Sequence, residues 1–97
     1  MSFFDLGALL INRSCIHELR GHRSTLRCLK MLDGRPICVT GSRDATVKVW
    51  NIESGRLIHD LRGHATAVRC LEIAGNQVVS GSYDHTCRVR LFHLSLE

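Results

Sequence analysis

The sequence predicts an all-β fold made of four-stranded antiparallel units that repeat along the chain. The stretch from Arg20 to Trp50 returns as a second copy from Arg62 to Val89, and His64 follows its counterpart His22 by 42 residues. A repeat of about 40–45 residues that opens on Gly-His and closes on Trp is typical of a propeller blade. No segment carries a sustained helical period. We therefore predict a partial β-propeller with one complete and one incomplete blade.

Alternating apolar and polar residues, separated by turn residues, predict the strands in chain order. In the first part of the chain they are Cys15–Leu19, Thr25–Met31, Ile37–Gly41, Thr46–Trp50 and Leu57–Leu61, and in the second part Ala67–Ile73, Gln77–Gly81 and Thr86–Leu91. Cys15–Leu19 has the pattern of Leu57–Leu61, so it is expected to be the outer strand of a preceding blade.

The first strand of each copy is expected to alternate strictly between two faces. This places Leu26 and Cys28 opposite Arg27 and Leu29, and Val68 and Cys70 opposite Arg69 and Leu71. An arginine at this place in a strand indicates a cavity lining or an anion contact.

The repeat divides the chain into four segments. They are an off-pattern start (1–14), an outer strand with the first repeat (15–56), an outer strand with the incomplete second repeat (57–89), and an off-pattern tail (90–97). The apolar Met1–Ile11 lacks a basic start and a cleavage site and is shorter than the ~20 residues of a membrane span. We expect no signal, anchor or membrane partner, and we expect a fragment or truncated form of a longer propeller.

The composition is that of a globular protein, with 44% hydrophobic and 23% charged residues. Thirteen Lys and Arg against nine Asp and Glu give a net charge of +4, which only weakly favours an acidic or phosphorylated partner. The five cysteines form no C-x-x-C pair. They are predicted to be small buried apolar residues in a reducing compartment, with a zinc or disulfide role as the alternative. We expect an intracellular protein, in the nucleus, the cytoplasm or both.

The Gly-His opening and the closing Trp resemble the WD-repeat family from about Cys15 to Val89. The resemblance implies a bracing hydrogen-bond network in each blade. Its members would be His22, Asp44, Trp50 and a hydroxyl of Thr40 or Ser42 in the first copy, and His64, Asp84 and a hydroxyl of Ser80 or Ser82 in the second. Arg90 replaces the tryptophan in the second copy, so that network is expected to be incomplete.

The sequence gives no catalytic, metal or cofactor site. Ser, His and Asp occur together in both copies, but they recur at the repeat spacing and nothing supplies an oxyanion hole. The six histidines fall mostly in repeat pairs, which argues against a set of metal ligands. We therefore expect a protein that is not an enzyme and that needs no cofactor.

Three arginines define the candidate binding site. Arg27 and Arg69 occupy equivalent positions, and Arg43 lies in the turn where the second copy has Tyr83. Together their guanidinium groups could form a pocket for phosphate, or they could be solvated surface charges. Spacing alone leaves both interpretations open. Only Tyr83 and Trp50 could stack on bases near these arginines, which argues against nucleic acid as the partner.

The motifs GHRSTLRC, GSRDAT, GHATAVRC and SGSYD resemble consecutive blades of the F-box/WD-repeat substrate adaptors of SCF-type ubiquitin ligases. The resemblance implies binding of a phosphorylated Ser/Thr-Pro degron. Arg27, Arg43 and Arg69 would contact the phosphate, Tyr83 would line the pocket and Thr25 would supply a supporting hydroxyl. The relatives join the SCF core through an F-box, which these 97 residues do not contain. The alternative is a general WD-repeat scaffold that binds proteins independently of phosphate.

Overall fold

A computed structural model describes residues 15–91 and shows two antiparallel sheets and no helix within that range. Sheet A has the order β1-β2-β3-β4, and sheet B has the order β5-β6-β7. The strands are β1 (Leu26–Met31), β2 (Ile37–Ser42), β3 (Val47–Asn51), β4 (Arg56–Leu61), β5 (Val68–Ala74), β6 (Gln77–Ser82) and β7 (Cys87–Leu91). The predicted all-β class and the pair of unequal blades are confirmed. The predictions for 1–14 and 92–97 lie outside the described residues.

The core lies between the two sheets. Residues paired across neighbouring strands share a face, so Val39 of β2 and Val49 of β3, which are partners, both point toward sheet B. The buried apolar cluster consists of Ile37, Val39, Val47, Val49, Val68, Leu71 and Val78. Gly41 permits the close approach of the sheets, since a Cβ there would lie 2.7 Å from both Cys28 Sγ and Val68 Cγ1.

A β-bulge interrupts the first strand of each sheet. In β1, Leu26 pairs with Ser42 and Cys28 with the adjacent Gly41, which leaves Arg27 as the extra residue. Arg69 is the extra residue of β5 in the same way. A bulge re-aims the side chains that follow it.

The prediction of strict alternation across these arginines is therefore wrong. In β5, Val68 and Leu71 are buried, whereas Cys70 is exposed together with Arg69. Without the bulge, Cys70 would have followed Val68 into the core. The inserted residue moves Leu71 there instead.

The predicted strand at Cys15–Leu19 is also absent from the described structure. A strand needs a neighbour to hydrogen-bond with, and no strand of residues 26–91 pairs with this segment. Instead, the ring nitrogen Nε2 of His17 lies 2.8 Å from the carbonyl oxygen of Glu53.

The prediction of buried cysteines holds for Cys38, and Cys28 is half-buried. It is wrong for Cys15, Cys70 and Cys87, which are exposed. Cys70 and Cys87 both pair with Gly81 and so share the face of sheet B that points away from sheet A, where nothing in residues 15–91 covers them. Burial raises the pKa of the Cys38 thiol, so this thiol is less reactive than an exposed one.

Candidate functional site

A hydrogen-bond network ties the Gly-His loop of the first copy to sheet A. His22 Nδ1 lies 3.2 Å from Asp44 Oδ2, and His22 Nε2 lies 2.7 Å from Thr40 Oγ1. The buried Trp50 donates its indole N–H to Thr40 Oγ1 at 2.8 Å. With its proton on Nδ1, His22 donates a hydrogen bond to the Asp44 carboxylate, and its Nε2 accepts one from the Thr40 hydroxyl. Every polar side-chain atom of this network then has a partner.

Asp44 also fixes the turn between β2 and β3. It accepts hydrogen bonds from the backbone N–H groups of Arg23 at 2.7 Å and Thr46 at 2.9 Å, and from the Thr46 hydroxyl. Burial alone would raise the pKa of the Asp44 carboxyl, but these bonds and the one from His22 hold the pKa well below its usual range. The turn is thus held by an ionised carboxylate.

Ser42 does not belong to the network. Its hydroxyl donates to the carbonyl of Thr25 at 3.1 Å and accepts the Asp44 N–H at 3.0 Å. In sheet B, Ser82 bonds the Thr66 carbonyl and the Asp84 N–H in the same way. The structure therefore places Thr40 in the first network, and these serines stabilise the turns.

The second copy repeats the network without its indole. His64 Nδ1 lies 3.1 Å from Asp84 Oδ2, and His64 Nε2 lies 2.7 Å from Ser80 Oγ. Arg90 stands at the tryptophan position and donates to the backbone carbonyl of Arg62. Ser80 thus lacks the indole N–H donor that Trp50 provides to Thr40.

The two bulge arginines meet at the chain's single tyrosine. Arg69 Cζ lies 4.5 Å and Arg27 Cζ lies 6.0 Å from the centroid of the Tyr83 ring, and Arg69 Nη1 also donates to the Tyr83 hydroxyl. All three side chains are exposed. At these distances cation–π attraction to the ring offsets part of the repulsion between the two guanidinium groups. We call Arg27, Arg69 and Tyr83 the arginine surface.

The other predicted site residues lie beside this surface. Arg43 and Tyr83 occupy matching turn positions: the Arg43 N–H donates to the Thr25 carbonyl at 2.8 Å, and the Tyr83 N–H to the Ala67 carbonyl at 3.1 Å. Within residues 15–91 no contact joins the exposed Arg43 guanidinium to the arginine surface. Thr25 supplies its carbonyl to the turn, and its side chain is solvent-exposed.

An open cavity of about 470 Å³ begins at the arginine surface. It is lined by Arg69, Cys70, Gly81, Ser82, Tyr83, His85, Thr86 and Cys87. His85 and the two cysteines were not among the predicted site residues, because only the fold shows that this turn and the outer face of sheet B adjoin Tyr83. Within residues 15–91 no three His, Cys, Asp or Glu side chains are placed to share a metal ion. The same residues include no helix with the length and apolarity of a membrane span.

The low carboxyl pKa values predict a loss of stability in acid. Hydrogen bonds from the Thr86 hydroxyl and the Ala65 N–H lower the pKa of Asp84, as the corresponding bonds do for Asp44. An unfolded aspartate has a pKa of about 3.9, so below about pH 4 the unfolded chain binds more protons than the folded one. The stabilisation is present above that pH and is lost as the pH falls toward the folded pKa values.

Urea unfolding followed by circular dichroism between pH 5 and pH 2.5 measures this effect. The unfolding midpoint should fall steeply for the natural chain and much less for the Asp44→Asn/Asp84→Asn double variant. If the unfolding midpoints of the two proteins fell equally with pH, Asp44 and Asp84 would not be the source of the acid sensitivity.

Comparison with known proteins places this geometry in a family. The family model "WD domain, G-beta repeat" (WD40) matches residues 13–51 and 55–90. The crystal structure of the computationally designed Ika4 protein superimposes with a TM-score of 0.73 at 37% identity, covering 80% of this chain and 48% of that one.

Three curated relatives match about one repeat each. The F-box/WD repeat-containing protein sel-10 of Caenorhabditis elegans is 49% identical over 45% of this chain and 7% of its own. Mitochondrial division protein 1 of Aspergillus niger is 43% identical over 43% and 6%. The probable E3 ubiquitin ligase complex SCF subunit sconB of Penicillium rubens is 44% identical over 44% and 6%. The matched stretch is thus less than a tenth of each relative.

WD40 repeats generally serve as protein-interaction modules that carry out no chemistry. The chain belongs to the WD40 repeat family, and it is similar over single repeats to an F-box/WD repeat-containing protein and to a probable SCF subunit of an E3 ubiquitin ligase complex.

Proposed function

We propose that this chain is the phosphodegron-binding part of an SCF-type substrate receptor, which recruits phosphorylated proteins for ubiquitination by partner enzymes inside the cell. The observation that carries the proposal is the arginine surface. Two guanidinium groups from equivalent bulges, one in each blade, lie within 6.0 Å of one exposed ring. No cofactor is needed, because binding and presentation are the whole activity.

The chemistry of the surface fits a phosphate monoester beside an apolar peptide. Each guanidinium offers a planar pair of N–H donors that matches two phosphate oxygens, and charge-assisted bonds of this kind are about twice as strong as neutral ones. The exposed face of Tyr83 offers a flat surface on which a proline after the phosphorylated residue can pack. Arg43 and the Thr25 hydroxyl, which come from the neighbouring turn and loop, would complete the pocket.

The placement of the arginines favours this use over that of solvated charges. A bulge disrupts the ladder of hydrogen bonds locally, and bulges are over-represented at sheet edges and next to active sites, where they re-aim a side chain. Here the extra residue is an arginine both times. The names of two relatives, an F-box/WD repeat protein and an SCF subunit, agree with the proposal.

The alternative is a WD-repeat scaffold that binds its partner without phosphate. It is favoured by the hydrogen bond from Arg69 to the Tyr83 hydroxyl, which already gives this guanidinium a partner within the chain. The comparable similarity to Mitochondrial division protein 1, whose name mentions no ubiquitin ligase, points the same way.

Titration with a phosphothreonine-proline peptide and its unphosphorylated twin separates the two functions. We expect binding of the phosphorylated peptide only. Arg27→Ala and Arg69→Ala should each weaken it by about 10- to 100-fold, since a hydrogen bond to a charged group contributes about 1.5–3 kcal/mol. Arg35→Ala and Arg56→Ala remove equal charge from exposed positions elsewhere and serve as controls. Equal binding of both peptides, or equal losses in all four variants, would exclude phosphate reading by these residues.

A further inference from the structure

Among residues 15–91, sheet B has three strands, whereas sheet A has four. In sheet A the edge of β3 is covered by β4, whereas among the described residues β7 is the edge of sheet B. Val89 and Leu91 of β7 are 61% and 63% exposed. An edge strand with apolar side chains and free backbone groups is a template for another strand.

The chain also contains a segment with the sequence of the missing strand. Cys15–Leu19 (CIHEL) precedes the first Gly-His as Leu57–Leu61 (LIHDL), which is most of β4, precedes the second. Ile58 of β4 packs against the core, but its counterpart Ile16 is 83% exposed. The segment therefore has a strand sequence and an uncovered isoleucine, but no strand partner among residues 26–91.

We propose that Cys15–Leu19 of one copy of this chain adds to β7 of a second copy as its fourth strand. The register follows from β3 and β4, in which Val47, Lys48 and Val49 pair with Leu61, Asp60 and His59. Shifted by one repeat, the pairs are Cys87 with Leu19, Arg88 with Glu18 and Val89 with His17.

The proposed register places oppositely charged residues opposite each other. Lys48 Nζ lies 3.0 Å from Asp60 Oδ2 in sheet A. At the equivalent positions, β7 carries Arg88 and the segment carries Glu18, so the cation stays on the inner strand and the anion on the outer one. Arg88 has no ion pair within residues 15–91, and Glu18 pairs only with the highly exposed Arg20.

The outer faces of the two sheets carry exposed apolar residues that the same association would bury. Within one chain, Leu71 of sheet B and Val49 of sheet A are buried in the shared core, with Leu71 4% exposed. Their counterparts Leu29 and Val89 are 50% and 61% exposed. Leu29 of the donating copy and Val89 of the accepting copy would become part of one apolar interface, as Leu71 and Val49 belong to one core within a single chain.

We assign the strand to a second copy, because the segment of the same copy lies on the side of sheet A that faces away from sheet B. His17 contacts Glu53, and Gly21 lies against Trp50. Trp50 alternates with Val49 and so faces away from sheet B. Each copy gives one segment and accepts one, so the contact is head-to-tail and builds rings or filaments.

Sedimentation of the full chain over a range of concentrations tests the proposal. The natural chain should form species above its mass of 10.9 kDa as concentration rises. Glu18→Arg and Arg88→Glu should each abolish this association by placing like charges opposite each other. The double variant Glu18→Arg/Arg88→Glu should restore it, because the pair is then reversed. Asp33→Arg and Arg35→Glu, at exposed positions in the turn between β1 and β2, are charge-matched controls outside the pairing.

Cross-linking gives a second readout that does not depend on association strength. Leu19→Cys faces Cys87 of the neighbouring copy in the proposed register and should give disulfide-linked dimers and larger species on mild oxidation. Leu19→Cys/Cys87→Ser should not form them. A monomeric natural chain at all concentrations would overturn the proposal. So would an association that both single charge reversals leave unchanged, or a cross-link that forms without Cys87.

Discussion

Replacing Trp50 with alanine is expected to lower the free energy of unfolding by about 3–5 kcal/mol, the usual cost of removing a buried aromatic side chain. Trp50 is 2% exposed and donates its indole N–H to Thr40. Its ring lies so close to the Gly-His loop that a Cβ on Gly21 would be 3.0 Å from Cη2. Alanine would leave a cavity between that loop and sheet A. Urea unfolding followed by circular dichroism measures the effect, since the chain has no other tryptophan to report by fluorescence.

Two further variants show whether the loss of stability comes from the volume of the Trp50 ring, from its hydrogen bond or from any substitution at this position of the repeat. Trp50→Phe keeps an aromatic ring and loses the N–H donor, so it should cost less than Trp50→Ala. Arg90→Ala changes the matching position of the second copy, where the side chain is only partly buried, and should cost less than about 1 kcal/mol. If Trp50→Ala costs no more than Arg90→Ala, the first network does not hold the blade together.

The fold could be predicted because the repeat constrains it twice. Gly-His, Asp and the hydroxyl recur at nearly constant spacing in the two copies. A buried imidazole needs a hydrogen-bond partner, so the histidine and the aspartate of each copy are expected to be in contact. The distances from His22 to Asp44 and from His64 to Asp84, 3.2 and 3.1 Å, show the same solution in both copies. Of Thr40 and Ser42, only the structure shows which one the imidazole contacts, because both hydroxyls lie on β2.

The arginine surface was harder to predict, because a bulge leaves no mark in the pattern of apolar residues. Strict alternation puts Arg69 and Leu71 on the same face, whereas the inserted residue separates them. The convergence of Arg27 and Arg69 on Tyr83 depends on that local twist and on the packing of β1 beside β5. The strand expected at Cys15–Leu19 failed for a different reason, since a strand sequence forms a strand only where a partner edge is available.

The second large effect is expected from Asp60→Asn, which should cost about 2–4 kcal/mol by leaving a buried ammonium without its counter-ion. The Lys48 side chain is 5% exposed, and its Nζ lies 3.0 Å from Asp60 Oδ2. Burial by itself would raise the pKa of Asp60, but hydrogen bonds from Lys48 and Arg62 hold that pKa below its usual range. Asparagine keeps the shape of the side chain and removes the charge, so the desolvation of Lys48 is no longer offset.

A double-mutant cycle distinguishes this effect from loss of packing. Lys48→Met removes the ammonium and keeps an unbranched apolar chain of similar length, so Lys48→Met/Asp60→Asn should recover most of the stability that Asp60→Asn loses. Arg62→Ala removes the exposed second partner of Asp60 and should cost less than about 1 kcal/mol. Equal losses for Asp60→Asn and Arg62→Ala would mean that solvent already screens Lys48. A loss in the double variant as large as the sum of the two single losses would mean that the two side chains act independently, and the ion pair would then have no part in holding β4 to β3.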